Sequence, residues 1–181
     1  MPRLSLHQEP RGPRNIARHY IRDLIYGAND GIITTFAVVA GVTGGALTTQ
    51  AVLIIGVANL FADGLSMGVG NYLSIRSHES ARAAQDLPEE ESSPGRHGLA
   101  TLLAFVLAGA IALLPYAVSH TNRAGLSVVS TFAALFVVGA LRSLVTIDRW
   151  WYAGLEMLGL GALVAAAAFG SGALVAALLA A

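Results

Sequence analysis

Two acidic residues stand within stretches of the sequence that are otherwise apolar enough to cross a membrane. Asp30 lies in an apolar run that starts near residue 24, and Asp63 lies in a second run that starts near residue 51. A carboxylate inside a bilayer is costly, and membrane proteins place one there mainly where it meets an ion, a proton or a charged substrate. These two residues therefore predict a pathway for a cation or a proton.

Polar or sulfur-containing side chains recur every four residues along the second apolar run, at Asn59, Asp63, Met67 and Asn71. Residues four apart lie on one face of a helix, so this spacing predicts a polar stripe. Carboxylate and amide oxygens suit hard or borderline ions and a thioether suits softer ones, which makes the stripe a candidate surface for Fe(II) or Mn(II). One Asp and one Met are too few ligands for a dehydrated cation, but a two-fold dimer would double every ligand.

Small residues share a helical face with Asp30 in the first run. Thr34, Ala37, Gly41 and Gly45 follow it at spacings of three and four. Because small residues let two helices approach closely, we expect the first spans of two protomers to pack along this stripe and to bring two Asp30 side chains together. Packing against another helix of the same protomer is the alternative.

The composition is that of an integral membrane protein. Hydrophobic residues make up 55% of the chain and charged residues 12%, and the mean hydropathy is +0.62. Soluble domains have roughly twice this share of charge. The net charge of zero argues against a nucleic acid partner, and the absence of Cys excludes disulfides and thiolate metal sites. No phosphate-binding loop, nucleophile elbow or zincin motif is present, so we predict that the chain is not an enzyme.

Five apolar runs are long enough to span a bilayer, at residues 24–48, 51–75, 98–119, 125–147 and 151–180. The predicted fold is an all-α integral membrane protein with five transmembrane helices in each protomer. Residues 24–181 form the transmembrane domain, with a flexible cytoplasmic linker at 76–97. Residues 1–23 form a tail whose arginines, four residues apart at Arg14, Arg18 and Arg22, predict an interfacial amphipathic helix.

The distribution of arginine predicts the orientation, since positive charge in short loops stays cytoplasmic. With the N-terminus in the cytoplasm, ten of the eleven arginines lie on the cytoplasmic side, and only Arg123 lies outside. Five spans then place the C-terminus on the outer side.

Several other polar residues have more than one interpretation. We expect Glu156 either to form an ion pair with Arg142 or Arg149, or to act as a metal ligand at the cytoplasmic end of the fifth span. For Asp63 the alternative to a metal ligand is a structural pair with Arg142 or a polar cap between helices. The acidic linker residues, Glu89, Glu90 and Glu91 among them, predict a solvated loop that attracts cations only weakly. His7, His19 and His120 have no partners at ligand spacing, so we expect them on the surface.

Two segments resemble the helix signatures of the vacuolar iron transporter family. Residues 30–41 (DGIITTFAVVAG) are similar to the signature of its first helix, and residues 62–74 (ADGLSMGVGNYLS) to that of its second helix. The resemblance is strongest over about residues 20–80 and extends from Ile21 onward.

The resemblance implies a homodimer of five-helix protomers with an ion path along the interface. Members of the family exchange Fe(II), and often Mn(II), for protons, moving the metal out of the cytosol. By position, Asp30 would be the embedded acid that binds metal or proton, and Met67 the thioether beside it. No permanently bound cofactor is implied; the partners are the lipid bilayer, the second protomer and the transported ions. We expect the chain in a bacterial inner (plasma) membrane.

Two departures from the family pattern affect this expectation. Many members insert a Glu-rich cytoplasmic metal-binding domain where this chain has only the linker at 76–97, and many have Glu at the position of Asn71. Two alternatives therefore stay open: a non-transporting membrane module that assembles with a partner protein, and a proton or organic-ion carrier on the same scaffold.

Overall fold

The computed structural model describes residues 5–7, 9–144 and 146–180. These residues form five α-helices, which are α1 (Pro13–Gly44), α2 (Thr49–Ala83), α3 (Pro94–Val118), α4 (Arg123–Arg142) and α5 (Trp150–Ala180). All five are long and apolar enough to cross a membrane, and the described part of the chain has no strand beyond one isolated bridge between Ser5 and Glu89. The predicted all-α membrane fold is confirmed.

Local sequence signals mark the ends of the helices. Pro13 and Pro94 stand in the first turns of α1 and α3, where a missing N–H costs no hydrogen bond. The Thr48 side chain caps α2 by accepting a hydrogen bond from the Ala51 N–H at 3.2 Å, which satisfies one of the free donors of the first turn. Pro115 lies one turn before the end of α3, where few further helical bonds depend on it.

Two helices extend beyond the apolar runs, at the end of the bundle where α1 begins and α2 ends. α1 is continuous from Pro13, so the amphipathic segment is the first part of the same helix that enters the membrane. α2 continues to Ala83 and α3 begins at Pro94, which leaves only residues 84–93 outside helices in the linker predicted at 76–97. The extension has a simple cause, because residues 76–83 include helix-forming Arg, Glu and Ala and contain neither Gly nor Pro.

α3 is the helix against which α1 packs most extensively, and it also contacts α2 and α4. Two glycines of α1 make the close approach possible. A Cβ atom on Gly27 would lie 2.4 Å from the carbonyl oxygen of Thr101, and one on Gly31 would lie 2.3 Å from that of Phe105. Both positions therefore exclude any side chain. The segment that bears Asp30 is fixed by contact with the backbone of α3.

α5 packs against α1 and α4, and in the described residues it makes no contact with α2 or α3. Its Gly172 lies so close to α1 that a Cβ atom there would be 2.2 Å from the carbonyl oxygen of Gly41. A Cβ atom on Gly45 would also lie 3.8 Å from the Gly172 oxygen. The expectation that Gly41 and Gly45 pack against the first span of a second protomer is therefore wrong, because α5 of the same protomer occupies that face.

We predict that Gly31→Ala destabilises the protein by about 1–3 kcal/mol, the usual cost of overpacking, because the new methyl group meets backbone that cannot move aside. Gly70→Ala is the matched control, since a Cβ atom at Gly70 meets nothing within 4 Å. The check is the apparent melting temperature of each purified variant in detergent. Equal melting temperatures for the two variants would contradict the close contact between α1 and α3.

Candidate metal-binding sites

Asp30 and Asp63 lie at the same depth in the bundle. Asp30 is about 14 residues before the end of α1 at Gly44, and Asp63 is about 14 residues after the start of α2 at Thr49. At a rise of about 1.5 Å per residue, both lie about 21 Å from the turn that joins the two helices. That depth falls within an apolar layer about 30 Å thick. The helix geometry therefore places Asp30 and Asp63 at the same level across the membrane layer.

The two carboxylates are close enough to interact electrostatically. Both side chains are half-buried in the protomer, and the residues described here provide neither with a hydrogen bond or a salt bridge. Thr34 is one turn from Asp30, but its hydroxyl donates to the backbone oxygen of Asp30, at 2.7 Å, instead of to the carboxylate. Both acids thus keep their full capacity to bind a cation.

Two amide side chains beside these acids also have unused hydrogen-bonding atoms. The Oδ1 atom of Asn29 and the Nδ2 atom of Asn59 are buried without a hydrogen-bond partner in the described residues. Buried polar atoms are normally paired, so unpaired ones indicate a place for a solvent molecule or an ion. Met67, one turn from Asp63 on the other side, is half-buried and packs against the hydrophobic core.

Asn71, the last member of the polar stripe, takes part in a different structure. Its Nδ2 atom lies 2.8 Å from Asp23 Oδ1, 2.8 Å from Thr101 Oγ1 and 3.3 Å from the carbonyl oxygen of His97. The amide group thereby joins α2 to α1 and to α3 at the end of the bundle where α1 and α3 begin. Asn71 was proposed as a metal ligand, and here its nitrogen acts as a hydrogen-bond donor to a buried acid.

Asp23 is the most deeply buried acid of the described chain, with 2% of its surface exposed. Its second carboxylate oxygen lies 2.5 Å from Nδ1 of His97, whose side chain is also buried. Sequence reasoning missed this pair. The available signal was the position of Asp23 seven residues before Asp30, which places both acids on one face of α1.

Glu91 points into the same region and lies among three histidines. One carboxylate oxygen is 3.0 Å from His97 Nε2 and 3.3 Å from His19 Nε2, and the other is 3.4 Å from His7 Nδ1. Burial opposes ionisation of Glu91, but a hydrogen bond from the Ser93 N–H and the interactions with the His97 and His7 rings hold the pKa of the carboxyl below its usual range.

Three predictions about this end of the molecule are therefore wrong. His7 and His19 are not surface residues, since their side chains are only 7% and 22% exposed. The linker is not a solvated loop at Glu91, because the Glu90 and Glu91 N–H groups donate to Glu79 Oε1 and so fix the linker on α2. His120 is exposed, as predicted.

A cavity of about 540 Å³ opens onto this cluster. Glu91, His19 and His97 lie in its wall, and the other lining residues come from α1, α2 and the linker: Arg22, Asp23, Ser74, Ile75, His78, Glu79 and Glu90. The cavity joins the cluster to the exterior on the side where α1 and α3 begin and α2 ends.

Glu156 lies apart from the other proposed ligands. Its carboxylate makes a salt bridge of 2.7 Å with Arg142, which also lies 3.6 Å from Asp148. This is the ion pair that the sequence offered as the first interpretation of Glu156. The alternative in which Arg142 pairs with Asp63 is wrong, because the Arg142 guanidinium contacts Glu156 and Asp148 instead.

Comparison with known proteins places this arrangement in a family. The sequence profile described as VIT family matches residues 21–91 and 76–173. The vacuolar iron transporter 2 of Oryza sativa subsp. japonica is 30% identical over 213 aligned positions, covering 85% of this chain and 87% of the relative. The vacuolar iron transporter 1 of Eucalyptus grandis is 25% identical, with 85% and 86% covered. The vacuolar iron transporter of Toxoplasma gondii is 37% identical over 92 residues, which are 48% of this chain and 30% of that protein.

Two features of these alignments concern length. The chain spans less than a third of the Toxoplasma gondii and Plasmodium falciparum relatives that it matches. The rice and eucalyptus alignments run over 213 positions while covering 85% of a 181-residue chain, so those relatives have additional residues inside the matched region. The profile match over most of the chain and the alignment with the rice protein together show that this chain belongs to the VIT family, whose relatives here are named vacuolar iron transporters.

Proposed function

We propose that this protein moves a divalent metal ion, Fe(II) or Mn(II), out of the cytosol in exchange for protons. The observation that supports the proposal most directly is the pair Asp30 and Asp63, which interact electrostatically at one depth of the bundle and lack other partners in the described residues. Two carboxylates held together in a low-dielectric layer repel each other. A divalent cation, or a proton on one of them, removes that repulsion.

A path that binds either a metal ion or protons at the same acids provides the basis for exchange. When the ion leaves, the two charges are again unscreened, and protons from the far side neutralise them before the path resets. Neutralisation by one species or the other at each step is what couples the two flows. A pathway without titratable ligands would lack this constraint.

The path is proposed to run along the interface of a homodimer. In the described residues α2 packs along α1 and α3, and α4 reaches it through a hydrogen bond from Arg123 to Thr49 at its first residue. The rest of its outer face is open, and large apolar side chains such as Phe61, Leu65 and Val69 are exposed there. Asp63 and Met67 lie half-buried at the edge of that face. A second copy packed on α2 would supply the additional ligands that one Asp and one Met lack.

We place the protein in a bacterial plasma membrane, with the cytoplasm on the side of the His19, Glu91 and His97 cluster. The support for this orientation is the distribution of arginine, since positive charge in short loops stays cytoplasmic.

We predict that Asp30→Asn abolishes metal transport while leaving folding unchanged, because the amide keeps the shape of the side chain and loses the charge that binds a cation. The measurement uses purified protein in liposomes that enclose a metal-sensitive dye and a pH-sensitive dye, with Fe(II) or Mn(II) added outside. Asp86→Asn is the matched control, because Asp86 is an exposed carboxylate in the linker.

Wild-type protein should move metal inward in the dye assay and protons in the opposite direction, and the control variant should behave in the same way. Full activity of Asp30→Asn would refute the role of Asp30. Wild-type liposomes with proton movement but no metal flux would favour the carrier alternative, and liposomes with neither would favour the non-transporting module.

We predict that Met67→Leu shifts the preference among Fe(II), Mn(II) and Co(II) toward the harder Mn(II), because it removes the softer ligand and keeps the apolar volume. Competition between metals in the same liposome assay measures the shift. Met157→Leu is the control, since Met157 is buried in a second core cluster with Ile32 and Leu135. If both variants keep the wild-type order of preference, the thioether of Met67 does not contact the transported ion.

A further inference from the structure

We propose that His19, Glu91 and His97 together bind one divalent metal ion at the cytoplasmic end of the bundle. Their ligand atoms all lie within 4.8 Å of one another. The three residues come from α1, the linker and α3, so a bound ion would join three segments that are distant in sequence. The binding site stands on this geometry alone, while its role in delivering ions rests on the proposed transport function.

The orientation of His97 is that of a metal ligand. Asp23 accepts a hydrogen bond from Nδ1 of the ring at 2.5 Å, and Asn71 holds the other Asp23 oxygen at 2.8 Å. A carboxylate that binds one ring nitrogen fixes the tautomer and directs the lone pair of the other nitrogen outward, which is the usual arrangement behind a metal-bound histidine. Here Nε2 of His97 is directed at Glu91.

The distances within the cluster match those between neighbouring ligands of one ion. Metal–nitrogen and metal–oxygen bonds of about 2.0–2.2 Å place adjacent ligand atoms about 3.0–3.5 Å apart. Glu91 Oε2 lies 3.0 Å from His97 Nε2 and 3.3 Å from His19 Nε2. One carboxylate oxygen is therefore at ligand spacing from two imidazole nitrogens at once.

None of these nitrogen atoms makes a hydrogen bond of standard geometry in the described residues. Nε2 of His97, of His19 and of His7 is buried without a hydrogen-bond partner, although the first two lie within 3.3 Å of the Glu91 carboxylate. Buried imidazole nitrogens without partners require an explanation, and a shared metal ion supplies one.

The chemistry of the ligands selects the class of ion. Two imidazoles and one carboxylate suit borderline divalent metals such as Fe(II), Co(II) and Zn(II), with other positions open to water or to a further ligand. Ca(II) and Mg(II) prefer sites made of oxygen alone. His7, whose Nδ1 lies 3.4 Å from the second Glu91 oxygen, is near enough to complete the ligand set.

The position of the cluster suits the loading of ions into the membrane path. The cavity of about 540 Å³ connects it to the exterior. Asp23 accepts the hydrogen bond from His97 Nδ1. Asp30 lies seven residues after Asp23 on α1, about 10 Å deeper along the helix axis. An ion released from the cluster would next meet the acids of the membrane layer, on the same face of α1.

The test measures metal binding directly, by titrating full-length protein in detergent with Co(II) under calorimetry and visible absorption. Wild-type protein should show one site per protomer whose absorption indicates nitrogen ligands. Glu91→Gln and His19→Gln should each weaken binding by about tenfold or more, and Asp23→Asn should do so through its loss of control over His97. Asp86→Asn and His120→Gln are the matched controls, because both side chains are exposed and neither lines the cavity.

Folding is checked by circular dichroism and size-exclusion chromatography, and Glu91→Gln keeps the shape of the side chain and an oxygen for the Ser93 N–H. If folded Glu91→Gln and His19→Gln bind Co(II) within about twofold of wild type, which is no more than a screened surface charge contributes, the site does not exist. A wild-type spectrum without nitrogen ligands has the same meaning.

Asp30→Asn separates this proposal from the proposed function, since it should lose transport and keep the Co(II) site. Glu91→Gln should raise the KM for metal flux with little change in the maximal rate. A wild-type protein that binds Co(II) through Glu91 but moves no metal would refute the transport function and the loading role together, while confirming the site. A KM for Glu91→Gln equal to that of wild type would refute the loading role alone.

Discussion

The free energy of placing a carboxylate away from water constrains this protein more than any other interaction. Four acids lie on α1, on α2 or in the linker that follows α2, and they differ in the partners that compensate for the loss of water. Asp23 is buried but has His97 and Asn71 as partners, and Glu91 lies among histidines. Asp30 and Asp63 have only each other in the described residues. The difference separates acids that hold the structure from acids that are free to bind a passing cation.

Close packing by glycine is what keeps the unpaired acids in place. Gly27 and Gly31 put the backbone of α1 against the backbone of α3, so the segment around Asp30 cannot move toward a new partner. Interhelical contacts of this kind depend on small residues because the lipid provides no hydrophobic force between helices. α5 holds the outer half of α1 in the same way through Gly41 and Gly172. The packed helices thus keep the Asp30 and Asp63 carboxylates close together, and a bound cation would remove the repulsion between them.

The sequence predicted the parts of the molecule that depend on local pattern. Apolar length and hydropathy were sufficient for the five helices, and the four-residue spacing was sufficient for the polar stripe on α2, because both follow from helix geometry. The sequence did not reveal which helix each stripe faces. Gly41 was expected at a dimer contact and lies against α5, because small-residue spacing is the same for contacts within and between protomers.

The cluster of histidines around Glu91 cannot be predicted from the sequence for a related reason. His19, Glu91 and His97 belong to three different segments, and no spacing rule joins residues that meet only through the tertiary fold. The acidic residues of the linker, with Pro88 and Pro94, predict a solvated loop. In the folded protein its N–H groups bind Glu79, and the Arg82 side chain donates to the carbonyl oxygen of Pro88 at 2.9 Å. These contacts turn Glu91 inward, and only the folded chain displays them.

The central claim is that the acids at mid-depth, between helices α1 and α2, bind the transported metal ion. Anomalous X-ray diffraction from crystals of the protein soaked in Mn(II) or Co(II) tests it most directly, because the signal locates the metal independently of any activity. The account predicts an anomalous peak within ligand distance of the Asp30 and Asp63 carboxylates, and its loss in crystals of Asp30→Asn. Metal peaks confined to surfaces outside the membrane layer, with none between α1 and α2, would contradict it.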